Sequence, residues 1–131
     1  MANIINMFGN TMSMSAKSLD FLWTKQKVIS NNIANVDTPG FKSKYVTFEE
    51  TFRNRLEAAA HSGEKDSMPR AINSAGWIVH NTIDETARAD GNNVQLDVEM
   101  MEMTRTALQY QYLLNSFNGD VQRFTTAIKG Q

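Results

Sequence analysis

His61 and His80, with the scattered carboxylates, are the side chains of this 131-residue chain best suited to holding a metal ion or moving protons near neutral pH. They stand nineteen residues apart in turn-rich sequence, whereas the ligands of a small metal site recur at short, fixed spacings. We read both as surface or loop histidines and expect no metal site. The carboxylate pairs Glu49-Glu50 and Glu99/Glu102 have spacings that an ordinary solvated helix face produces, and no nucleophile stands beside a base. The chain has no cysteine, which removes disulfides, thiolate nucleophiles and zinc–thiolate centres. Gly40, Gly63 and Gly76 are isolated, so no glycine-rich loop is available to cradle a phosphate. Of the eight methionines, Met100 and Met103 fall on a helical stripe where packing, not metal binding, is expected. Lys42, Lys44, Arg53 and Arg55 interleave with Phe41, Tyr45 and Phe52, a pattern that could serve nucleic acid. Glu49, Glu50 and Glu57 neutralise it, and 13 basic against 14 acidic residues leave a net charge of −1. A phosphate-binding stripe needs a basic excess. Composition therefore points away from an enzyme, a cofactor and nucleic acid.

Three sections separate by pattern: residues 1–36 helical, 37–93 turn-rich, and 94–131 helical again. Both prolines, Pro39 and Pro69, and four of the seven glycines lie in the middle section. Breakers in the centre and helix-permissive ends predict a mainly α chain. Its long N- and C-terminal helices should pair as a coiled-coil-like hairpin around a small, irregular, β-containing insert. In the last section Leu96, Met100, Met103, Ala107, Tyr110, Leu114, Phe117, Val121, Phe124 and Ile128 alternate at spacings of four and three, which predicts the pairing seam. The first section repeats the pattern with Phe8, Met12, Leu19, Leu22, Ile29, Ile33 and Val36, interrupted by Ser15 and Gln26. Its first ten or so residues are expected to be disordered in an isolated chain. Pro39 stops this helix near Asn35, and Pro39-Gly40 suits the centre of a type II turn. Asp90-Gly91-Asn92-Asn93 supplies a turn followed by an asparagine able to cap the second helix. Within the insert, Thr47 to Glu50 has capping-box spacing ahead of a short helix near 47–60. His61 to Gly76 reads as a loop, and Trp77 to His80 as a short strand.

A solvated helix should be polar opposite its seam, yet Val94, Val98, Met101, Leu108 and Tyr112 occupy the outer positions of the last section. Thr106 to Gly119 contains no charged residue over fourteen positions. Phe21, Trp23 and Val28 likewise lie off the N-terminal seam. Covering a large apolar side chain contributes roughly 1.5–3 kcal/mol, so these eight residues predict a subunit interface. The competing expectation is that the insert folds back over them. No stretch is long and apolar enough to span a bilayer. The opening residues lack the basic start and apolar run of a secretory signal, the first charge being Lys17.

The run from Ser30 to Lys42 resembles the motif of the flagellar rod, hook and hook-associated proteins, a helix ending in A-N-x-x-T-P-G-[FY]-K. Ala34, Asn35, Thr38, Pro39, Gly40, Phe41 and Lys42 match it. Asp90 to Val94, Leu96-Asp97, Glu99-Met100, the Thr106–Gln111 stretch and the small insert are similar to the short proximal-rod members of that family. The resemblance implies a structural subunit of the bacterial basal body, exported through the flagellar type III apparatus without signal cleavage and polymerised into the periplasmic rod. Implied partners are further copies of the chain, other rod proteins, the export apparatus, and a membrane ring or the adaptor FliE. Asn31, Asn32 and Asn35 would then satisfy backbone groups at the helix end or bond a neighbouring subunit. Asp37 to Gly40 would re-aim the chain, and Asp90, Gly91, Asn92 and Asn93 would return it. The alternative is a non-polymerising helical adaptor or export chaperone of the same system.

Overall fold

The computed structural model describes residues 2–64, 66–83 and 87–130. Helix α1 runs Ala2–Ala34, strand β1 Lys44–Thr47, helices α2 Glu49–Ser62 and α3 Ser67–Ser74, strand β2 Ile78–Asn81, and helix α4 Leu96–Lys129. The long helices, 33 and 34 residues, each extend about 50 Å. They are antiparallel: Phe8 meets Phe124 at one end, with ring centroids 5.9 Å apart, while Asn32 bonds Glu99 at the other. α1 is helical from Ala2, including the stretch expected to be disordered, and the Phe8–Phe124 contact ties that end down.

The core lies where the insert closes over one end of the hairpin. Phe21, Leu22, Val46, Phe48, Phe52, Ile72 and Ala75 are buried together, with Met14, Val28, Tyr110 and Leu113 packed around them. Phe21, Phe48 and Phe52 stack in succession at 4.8 and 4.7 Å. Met14, Phe21 and Val28 follow at intervals of seven, so one flank of α1 meets the insert while Leu22 and Ile29 on its neighbouring stripe are also buried. Phe21 therefore belongs to the chain's own core, at 4 % exposure, and Val28 packs against it; neither is left for a neighbouring subunit. Val94 is also buried, because it precedes α4 and is not on a helix face at all. For Phe21 and Val28 the insert does the covering.

β1 and β2 form a two-stranded antiparallel sheet, Lys44 opposite Asn81 and Thr47 opposite Ile78. The expected capping box is not formed: Phe48 is the N-cap of α2 and makes no side-chain cap. The Thr47 hydroxyl pairs instead with His80 Nε2 at 2.8 Å. The stretch read as a loop holds α3, whose Ile72 is fully buried. Pro69 is tolerated there because it falls in the first turn, where backbone N–H groups have no intrahelical acceptor.

The inner face of α4 differs from the seam read from apolar spacing. Met103, Tyr110, Phe117 and Phe124 are shared by both readings and are at least half-buried. Glu99, Thr106, Leu113 and Asp120 are also at least half-buried, as are Ala107 and Val121 of the expected seam. Leu96, Met100, Leu114 and Ile128 are exposed, Met100 by 56 %. The inner row is displaced toward polar residues that lower its hydrophobicity, which is why periodicity selected its apolar neighbour. Thr106 is fully buried and its hydroxyl finds no hydrogen-bond partner among the described residues.

An unpaired buried hydroxyl costs about 1–3 kcal/mol. Thr106→Val keeps the shape and removes that cost, so it should raise unfolding stability by about 1 kcal/mol, measured by urea denaturation.

Candidate functional site

Where α1 ends, its last carbonyls have no partners within the helix. Tight bonds take some of them: Asn35 N–H donates to Asn32 O, Val36 N–H to Ile33 O and Thr38 N–H to Asn35 O. Asn92 serves the carbonyls of the turn that follows. Its side-chain amide, fully buried, donates to the carbonyls of Asn35, Val36 and Thr38 at 2.9, 3.0 and 2.9 Å. Its Oδ1 accepts from Val94 N–H at 2.7 Å. Asn93, the asparagine expected to cap the start of α4, bonds the insert instead, while Asn92 closes the turn after α1. The N-cap of α4 is Gln95, which makes no side-chain cap.

Asn32 does a similar task for the sheet. The Thr82 N–H to Ser43 O bond sets alternate residues of β1 toward β2, so the backbone of Lys44 points off the other edge. Asn32 Oδ1 accepts from Lys44 N–H at 2.9 Å, and its amide donates to Lys44 O at 2.7 Å and to Glu99 at 2.8 Å. One buried side chain thus joins α1, β1 and α4. Asn93 accepts from Ser43 N–H and donates to Thr82 O, joining the two ends of the insert. Asn35 donates to Asn31 O and accepts from the Thr38 hydroxyl, while the side chain of Asn31 is exposed.

Two turns lie against each other beneath this cluster. Phe41 N–H donates to Thr38 O around Pro39-Gly40, and Gly40 N–H donates to Asp90 O. Gly40 and Gly91 both have positive φ, +72° and +80°, and a Cβ on Gly91 would stand 3.5 Å from Gly40 Cα. Lys42 donates to Gly91 O at 2.7 Å. Arg88 reaches Val36 O at 3.0 Å and lies near Asp37 and Asp90. Ala34 ends α1 and Phe41 is half-buried in the turn. The motif residues thus converge on one polar clasp. Ser43, Thr82 and Arg88, which take part in it, were not singled out from sequence, and Lys44 and Glu99 were weighed for other parts; their roles here are backbone or long-range, and no local spacing announces them.

Just beyond the clasp Lys25 lies 3.0 Å from Glu102, on the same stretch of paired helix. The hydrogen bond from Lys25 lowers the Glu102 pKa below its ordinary 4.5, burial opposes this, and Arg105 adds to it. His80 stacks on Tyr45, and His61 bonds the Glu57 carbonyl. Among the described residues no three metal-ligating side chains gather, and no helix is long and apolar enough to cross a membrane.

The remaining distinctive surface is apolar. Of the eight outward residues, Trp23, Val98, Met101, Leu108 and Tyr112 stay exposed, Leu108 by 62 % and Tyr112 by 79 %. Lys27 lies over the Trp23 ring, 5.4 Å from its centroid.

The family model for flagella basal body rod proteins matches residues 22–42, the segment from the middle of α1 through the Pro39-Gly40 turn to Lys42. The flagellar basal body rod protein FlgB of Bacillus subtilis (strain 168) is 31% identical over 129 residues, covering 96% of this chain and 98% of that protein. FlgB of Borreliella burgdorferi is 30% identical over 121 residues, covering 85% and 90%. FlgB of Yersinia enterocolitica is 23% identical over 137 residues, covering 96% and 98%.

Two outcomes test the clasp. Asn92→Ala removes three hydrogen bonds, although each acceptor keeps one other donor (Thr38 N–H, Arg88 and Phe41 N–H), and should cost about 1–3 kcal/mol by chemical denaturation, at about 1 kcal/mol per bond. Asn92→Asp should cost more than Ala at neutral pH, because a carboxylate then faces carbonyl oxygens, and the gap should narrow in acid as the carboxyl regains a donor. For Glu102 the folded-state pKa lies below the unfolded one, so its contribution is complete above about pH 4.5 and fades as pH falls through the lowered value. Glu102→Gln should lower stability slightly at pH 7 and flatten that acid limb.

Proposed function

The chain belongs to the FlgB family of flagellar basal body rod proteins, and on that premise we propose how its geometry serves the rod. It is a structural subunit of the proximal rod of the bacterial flagellar basal body. The clasp fixes the shape of each copy, and the helices supply the contacts between copies. The observation that carries this reading is the row of apolar side chains that the chain's own fold leaves in water along α4: Val98, Met101, Leu108 and Tyr112, with Trp23 on α1. Covering each is worth roughly 1.5–3 kcal/mol, a driving force for association that the fold itself does not use.

Heterologous contacts between such faces build an open helical array when the rotation between neighbours does not close, the geometry a shaft needs. The chain performs no chemistry of its own. It leaves the cytoplasm through the flagellar type III apparatus without cleavage, and at the base of the rod it meets the membrane ring or the adaptor FliE; family membership supports both steps. An adaptor or chaperone would instead saturate at a small fixed stoichiometry, which concentration-dependent light scattering separates from templated growth.

Leu108→Asp charges the outer face of α4 without touching its inner row. Cells carrying it should export the subunit at the normal level yet fail to build basal bodies and fail to swim. Normal swimming would show that this face is not an interface.

A further inference from the structure

The two edges of the small sheet are finished differently. On the outer edge of β1, the side-chain amide of Asn32 stands in for the backbone of a neighbouring strand. It accepts from Lys44 N–H at 2.9 Å and donates to Lys44 O at 2.7 Å. The outer edge of β2 has no such cover. The sheet is two-stranded, and the alternation that turns the backbone of Ile78 and His80 toward β1 turns that of Val79 and Asn81 away from it. Among the described residues, no hydrogen bond reaches the N–H or C=O of either. Folds blunt a free edge with lysine, proline or a bulge. β2 is Ile-Val-His-Asn, and its register with β1 runs unbroken from Ile78 to Asn81. Apolar side chains flank the open groups instead: Ile78 is 55 % exposed, Val79 48 % and Ile83 87 %.

We propose that the outer edge of β2 takes up a short extended segment of a different protein, which adds a third strand to the sheet. This rests on the rod-subunit reading and names a contact of the subunit away from its terminal helices. The chemistry of the occupant follows from the edge. Donors and acceptors that recur at every second residue are matched by the main chain of another strand, not by a helix, whose backbone groups are already paired. The four residues of β2 extend about 13 Å, so the segment is only a few residues long. From Ala71 to Ile83 the chain has no Asp, Glu, Lys or Arg. The edge therefore offers no counter-charge, and an uncharged segment of β-branched or aromatic residues fits it. A second copy does not. Asn32 occupies the far edge of β1, so among the described residues a second copy has only its own β2 to offer. That contact would use the same edge twice and close on itself, whereas a shaft needs contacts that propagate.

Amide hydrogen exchange resolved to single residues separates strand addition from other contacts. In the purified chain the amides of Val79 and Asn81 should exchange fast, and that of His80, which faces β1, slowly. In isolated basal bodies Val79 and Asn81 should slow several-fold, toward the rate of His80. Val79→Pro deletes an outward N–H that the fold itself does not use. The purified variant should keep the urea midpoint of the unmodified chain, and cells carrying it should build several-fold fewer basal bodies. The proposal is overturned if Val79 and Asn81 exchange equally fast in basal bodies and in the free chain, or if Val79→Pro cells swim normally. The chain has no cysteine, so an Asn81→Cys thiol reports only on itself. A disulfide-linked dimer of that variant in mildly oxidised basal bodies also overturns the proposal, since the edge would then meet itself. Absence of the unmodified chain from basal bodies would be a different failure, that of the rod-subunit reading itself.

Discussion

The structure depends on how the carbonyl end of α1 is satisfied. A 33-residue helix that stops against the rest of the fold leaves its last carbonyls, and those of the turn that follows it, in need of donors. Asn92 meets three of them with one amide. Because it comes from the segment leading into α4, the same bonds fix where the second helix begins. Asn32 and Asn93 extend this logic to both ends of the insert. Hydrogen bonds are directional and apolar contacts are not, so the polar clasp sets the register of the hairpin while the phenylalanine stack supplies driving force.

Much of this was legible from residue order. The spacing of apolar side chains marked α4 and most of α1, and the Thr38-Pro39-Gly40 turn followed from what proline and glycine permit. The direction each helix faces was less legible. On α4 the inner row carries Glu99, Thr106 and Asp120, and a reading that follows hydrophobicity passes to exposed Met100 and Leu114 one position on. Strand β1 is four residues among basic side chains, too short for alternation to show, and α3 hides behind Pro69 and a single fully buried isoleucine, Ile72. The parts of the asparagines were half legible: their positions at the turns stood out, but the acceptors of Asn92 lie more than fifty residues away along the chain. Thr47 shows the opposite error, a local motif whose hydroxyl was claimed by His80 across the sheet.

The mismatch on α4 has a physical meaning. An inner row diluted with polar groups and an outer surface rich in methionine, leucine and tyrosine is the reverse of what a solitary helical hairpin needs. The helix holds to its partner through Asn32–Glu99 and Lys25–Glu102 as well as through apolar packing, and keeps its greasiest side chains for elsewhere. A subunit whose surroundings are other subunits gains from that allocation.

The two ends of the insert are also neighbours. Ser43 O and Thr82 N–H are bonded at 2.8 Å, and Asn93 grips the backbone at both points. The segment between them leaves and returns at one socket and packs on α1 through the core. The entropy of closing a chain segment grows only slowly with its length, so a longer cassette that kept the Phe48, Phe52 and Ile72 packing could be accommodated there. Size variation among shafts built on this stem can thus be confined to what projects from it.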